Sequence, residues 1–197
     1  MRRWMWIVAG LVIIGTTEAA IRRVKPGGAG DGTSWANALG DLQDAIDGST
    51  SGDDIWVAAG VYAPTGHPNV DVGTLADGES PVRWVHFSLK EGVVVLGGFA
   101  GTETEELQRA PSANPTILSA DPGTPGDDSD DAYYLFYHPD SANLNLSNAA
   151  SLDGFILQRA WTTAIYSRYG APLIRNCEFR NNGHGDDDGG ALYAKVN

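Results

Sequence analysis

The chain has 197 residues and a formal net charge of −12, from 13 Lys plus Arg against 25 Asp plus Glu. That balance disfavours nucleic acid and anionic membrane surfaces as partners, because both are bound mainly through Lys and Arg. A single cysteine, Cys177, excludes an internal disulfide framework and a thiolate zinc site.

Arg2 and Arg3 precede an apolar run from Trp4 to Gly15, and Thr17-Glu18-Ala19 places small residues at a cleavage position. This pattern predicts a secretory signal peptide over 1–19, and hence a secreted or cell-surface protein. The apolar run is shorter than the roughly 20 residues that cross a bilayer, so the mature chain is expected to have no transmembrane helix.

Residues 20–50 read as an N-terminal segment. It opens with a Gly-rich turn region, and Leu42, Ala45 and Ile46 then mark a short amphipathic helix over about 36–46. From 51 to 197 the pattern changes to short β-rich runs separated by Gly, Pro, Asn and Asp clusters. The runs are 55–57, 60–62, 82–89, 93–96, 116–118, 133–137, 152–157, 164–166, 173–179 and 191–196. Trp56, between Ile55 and Val57, points to the opposite face of its strand.

The last third repeats. Leu152-Asp153-Gly154-Phe155-Ile156-Leu157 aligns with Ile174-Arg175-Asn176-Cys177-Glu178-Phe179 at an offset of 22. Ala164-Ile165-Tyr166 aligns with Ala191-Leu192-Tyr193 at an offset of 27. Several short strands in a period of 20-odd residues predict a β-solenoid. A β-sandwich is the alternative, but the Asp-Gly pairs do not sit between two strands as hairpin turns would. The final segment reads as a strand with no closing element, so the chain is expected to be an N-terminal fragment with an incomplete last repeat.

Leu42-Gln43-Asp44-Ala45-Ile46-Asp47, followed by Gly52-Asp53-Asp54-Ile55-Trp56-Val57, resembles the entrance of right-handed parallel β-helix proteins of the pectin-lyase-like superfamily. Cys177-Glu178-Phe179-Arg180-Asn181-Asn182, with Gly189-Gly190-Ala191-Leu192-Tyr193, is similar to the repeat of exported bacterial polymorphic-outer-membrane-protein-like proteins. The resemblance implies an all-β, right-handed parallel β-helix with a short N-terminal capping helix. It implies an adhesive or structural surface role without a catalytic site. The alternative is a polysaccharide lyase or glycoside hydrolase acting on acidic glycans. The expected partner is a carbohydrate or a cell-surface receptor.

Two acidic clusters are candidate calcium sites, since Ca²⁺ takes several carboxylate oxygens. Asp127, Asp128, Asp130 and Asp131 form the denser one. Asp186, Asp187 and Asp188 form the second, in a loop that interrupts the repeat and that could also contact carbohydrate. The first lacks EF-hand spacing, since the twelfth position from Asp127 is His138, and a solvated acidic loop is its simpler reading; the carboxylates of the second could also serve as the acid and base of a glycosidase. His67, His86, His138 and His184 have no metal-ligand spacing. Trp35, Trp56, Trp84 and Trp161 would stack on sugar rings where exposed. Arg175 and Arg180 read as surface residues, and Asn181 and Asn182 as structural turn residues.

Overall fold

A computed structural model describes residues 19–139, 146–168, 170–184 and 190–195. Residues 1–18 of the predicted signal peptide and the Asp186–Asp188 loop lie outside these residues. The elements in chain order are β1 Ile21–Val24, α1 Leu42–Gly48, β2 Asp54–Ala58, β3 Gly60–Tyr62, β4 Val94–Phe99, β5 Thr116–Ser119, β6 Tyr134–His138, β7 Ser151–Asp153, β8 Phe155–Gln158, β9 Thr163–Arg168, β10 Leu173–Arg175, β11 Glu178–Arg180 and β12 Leu192–Lys195.

The strands form three sheets. The first has the order β1-β2-β4-β7-β10, the second β3-β5-β8-β11 and the third β6-β9-β12. Every pairing is parallel. Parallel neighbours cannot be joined by a hairpin, so each needs a crossover. Here the crossover from β1 to β2 carries α1, and every later crossover carries strands of the other sheets. The sequence offsets are the strand registers: Leu152 pairs with Ile174, Leu157 with Phe179 and Tyr166 with Tyr193.

Between sheets the backbone turns through left-handed residues. Gly154 (φ 83°) and Asn176 (φ 49°) lie between the first and second sheets, 22 residues apart. Arg159 (φ 68°) and Asn181 (φ 50°) follow the second sheet at the same spacing. Gly and Asn adopt this conformation readily, whereas Arg does so at a steric cost of about 1 kcal/mol. Beside this last corner, Asn182 braces adjacent rows. Its carbonyl oxygen accepts from the Ala160 N–H, and its amide donates to the Leu157 carbonyl, both at 3.0 Å.

The inner faces share one core. It includes Val24, Ile55, Val57, Val95 and Leu152 from the first sheet, Leu118, Phe155 and Leu157 from the second, and Leu135, Phe136 and Ile165 from the third. Full burial of each such side chain stabilises by about 1.5–3 kcal/mol. The outer face of the first sheet has a smaller core in which Trp56 stacks on Phe99 at 4.7 Å.

Helix α1 contributes Leu42, Ala45 and Ile46 to the main core at the β1–β2 end. It starts later than its apolar spacing predicts. The Asp41 carboxylate caps it by accepting from the Gln43 and Asp44 N–H groups, at 2.6 and 3.1 Å. Residues 34–37 form a separate turn, closed from the Asn37 N–H to the Ser34 carbonyl.

The all-β right-handed parallel β-helix expected from the sequence is corrected. The described residues are 12% helical and 32% strand, in three small parallel sheets that form no closed solenoid, a mixed arrangement of parallel α/β type. The segment between β3 and β4 shows why. Residues 82–89 were expected to form a strand, but Pro81 starts a 3₁₀ turn over Pro81–Trp84. Among the described residues its β-type pairing with the third sheet is an isolated bridge from Phe87 to Phe136. The same segment carries a second 3₁₀ turn at Val72–Thr74, and later connections carry turns at Glu106–Gln108 and Asp128–Asp130.

Two buried histidines pin that segment. His138 Nε2 accepts from the Leu89 N–H at 2.8 Å. His86 donates from Nδ1 to the Trp84 carbonyl (2.7 Å) and accepts at Nε2 from the Asn69 N–H (3.2 Å). Both roles require neutral rings. Burial lowers both from 6.5 to about 4. Unfolded histidine takes its proton near 6.5, so their stabilisation is complete above that pH and is lost as pH falls toward 4. Each histidine contributes about 3 kcal/mol to this loss. Urea midpoints measured across that range should fall with pH, and His138→Gln should flatten the slope by about half.

Candidate functional site

The outward face of the third sheet gathers the aromatic side chains. Strand alternation and register put Tyr137, Tyr166 and Tyr193 in one row across β6, β9 and β12. Their ring centroids are 5.2 and 4.8 Å apart. Tyr134 stacks on Tyr137 at 4.7 Å. Trp84, from the 3₁₀ turn, meets Tyr133 and Tyr137 edge-on at 5.1 and 5.9 Å. Arg83 lays its guanidinium over Tyr133 and Trp161, at 4.5 and 4.4 Å.

A basic row runs beside the aromatic one. Lys195 and Arg168 are in register two residues after Tyr193 and Tyr166. Burial, with Tyr166 beside it, holds the Tyr137 phenol above its ordinary value, against a smaller opposite pull from Arg168. Tyr137 is therefore a neutral hydroxyl at physiological pH. The face combines ring edges, phenol hydroxyls and cations, which suits stacking and hydrogen bonding to a polar, anionic ligand.

The first predicted calcium cluster is brought together only in part. Ligand atoms of Asp121, Asp130 and Asp131 lie within 4.8 Å of one another. Asp127 instead caps the 3₁₀ turn by accepting from the Ser129 N–H. The positive charge in this cluster is Arg159. Its guanidinium lies 3.3 Å from Asp121, 2.8 Å from Asp128 and 3.1 Å from Asp131. Asp131 is fully buried, and burial raises its carboxyl above the ordinary range while Arg159 pulls it down. Such a carboxylate cannot reach a polymeric substrate as an acid or base.

The other sequence candidates are dispersed. Trp56 is buried, and Trp35 packs on Phe99 while donating to the Glu103 carbonyl at 2.9 Å. Trp84 and Trp161 alone of the four named tryptophans belong to the aromatic face. His184 lies 6.5 Å from Trp161. Asp186, Asp187 and Asp188 are outside the described residues. Arg175 pairs with Asp153 at 3.3 Å, and Asp153 also binds Arg109 at 2.9 Å. Sequence reasoning weighed the tryptophans and missed the tyrosines, although Tyr166 and Tyr193 occupy equivalent places in the repeat. It also missed Arg159, whose signal was its equivalence to Asn181.

No family model, no curated protein and no solved structure matches this chain.

Replacing Arg159 tests the acidic cluster. Arg159→Gln leaves Asp131 buried without its counter-charge and should cost about 3 kcal/mol of unfolding free energy. Millimolar calcium should leave the wild-type melting temperature unchanged, because the guanidinium already occupies the space among the carboxylates, and should raise that of Arg159→Gln.

Proposed function

We propose that this chain is an exported surface protein that adheres to acidic carbohydrate through the outer face of its third sheet. The observation that carries the reading is the row of Tyr137, Tyr166 and Tyr193 with Arg168 and Lys195 beside it. A basic and aromatic strip is conspicuous in a chain of net charge −12. Aromatic rings present apolar surface to sugar C–H groups, and their hydroxyls bond to sugar hydroxyls. The cations offset the repulsion between an acidic protein and a polyanion. The basic and apolar N-terminal residues support export.

Isothermal titration with polygalacturonate, using dextran as a neutral control, tests this reading. Salt-sensitive binding to the acidic polymer alone is expected. Lys195→Glu, on an exposed strand, should weaken binding about fivefold, close to 1 kcal/mol for one surface charge. Tyr193→Ala should weaken it further. Equal binding to both polymers, or binding to neither, overturns the reading.

A further inference from the structure

The segment 66–89, between β3 and β4, runs across β6. Residues 71–82 are exposed apart from Leu75, whereas Val85–Leu89 are buried. The buried part meets β6 at the Phe87–Phe136 bridge. There the Phe87 N–H donates to the Leu135 carbonyl (2.7 Å) and the Tyr137 N–H to the Phe87 carbonyl (3.2 Å). Two imidazoles add to the attachment. His138 of β6 accepts at Nε2 from the Leu89 N–H. His86 accepts at Nε2 from the N–H of Asn69, whose side-chain amide donates to the Tyr137 carbonyl. A segment held at a few points opens at a lower free energy than strands paired along their length.

We propose that this segment is an acid-released strap: protonation of His86 and His138 frees it from β6 and carries Trp84 and Arg83 away from the aromatic face, while the three sheets stay paired. Protonation turns each Nε2 acceptor into a donor aimed at another N–H. His138 Nδ1 is buried and, among the described residues, has no hydrogen-bond partner, so a charged ring there would go unsolvated until the strap opens. The titratable groups facing His86 are His67 within the strap and Tyr137 on β6, whose ring lies 5.3 Å away. His138 faces His86, so each cation repels the other. Ser167 of β9, in register with His138, is neutral. From α1, Gln43 accepts from the Ser88 N–H and donates to Asp47, both at 2.8 Å. The Lys90 ammonium is bonded to the Asp47 and Ser49 carbonyls, and Glu79 to the Trp84 indole.

Amide hydrogen exchange of the full chain, read as protection factors so that the intrinsic pH dependence is removed, tests the strap. Burial holds both rings at about 4 while it is closed, against about 6.5 in water, so each histidine favours opening about twentyfold between pH 7 and 5. Protection of the Phe87 and Leu89 amides should fall at least about a hundredfold over that range. At pH 5 it should lie well below that of the β2, β4 and β8 amides. Tryptophan emission should shift to the red as Trp84 leaves Tyr133 and Tyr137, and Trp84→Phe should lack the shift. His86→Gln/His138→Gln keeps an acceptor at both places and should show neither change; the wild-type exchange decides even if this variant does not fold. The consequence for a ligand rests on the carbohydrate reading and is measured separately, as weaker binding of polygalacturonate at pH 5 than at pH 7. Binding at neither pH refutes that reading and leaves the strap to the exchange data. Strap protection that does not change with pH, strap and strand amides with equal protection at every pH, or a wild-type response in a folded double variant would each overturn the proposal.

Discussion

Parallel strand pairing is the constraint on which the rest of the structure depends. A parallel strand must be reached by a crossover, and a crossover that paired with nothing would leave backbone groups unbonded. Here the crossovers after β2 carry strands of the other sheets. At the short corners the backbone must bend within a few residues. Gly154, Asn176 and Asn181 do so in the left-handed region at little cost. Arg159 does so with its guanidinium held by Asp121, Asp128 and Asp131. One residue therefore serves both the backbone path and the charge balance of an acidic loop.

The same economy governs charge elsewhere. Asp153 is buried on the first sheet, where Arg109, Arg175 and the Asn176 amide surround it. Glu103 accepts from the backbone N–H groups of Ala100, Gly101 and Thr102, a concave arrangement of donors that neutralises it without a cation. Several of the few basic residues are thus spent inside the fold. On the aromatic face, Arg168 and Lys195 lie in register on neighbouring strands.

Much of the local structure was legible in the sequence. The 22- and 27-residue repeats gave the registers of β7–β10, β8–β11 and β9–β12 because equivalent apolar residues must face the same core. Strict alternation gave the opposed faces of Ile55, Trp56 and Val57. Other features depended on contacts distant in sequence. Ile21–Val24 has two arginines and reads as polar, yet pairs with β2 because Arg23 covers the Trp56 ring at 5.2 Å. The apolar run at 82–89 became a 3₁₀ turn because Pro81 and the partners of His86 outweighed its β propensity. The fold class failed for a related reason. The repeat governs the last third, whereas the long crossovers before it are built from turns and short helices. The aromatic face was missed because its rings come from three strands and a turn.

The order of the sheets has a consequence for biogenesis. In all three, each strand pairs with one that precedes it in the chain, and no strand inserts between two older ones. Each sheet therefore grows from one side as the chain lengthens. A polypeptide emerging from a ribosome or a translocation channel, amino end first, would meet a finished template for nearly every new strand. Loop closure favours the later additions. The β7–β10 pairing closes a much shorter loop than β4–β7, and by the logarithmic dependence on length the difference is about 1 kcal/mol. The topology suits vectorial assembly, in which the direction of synthesis and the direction of sheet growth are the same.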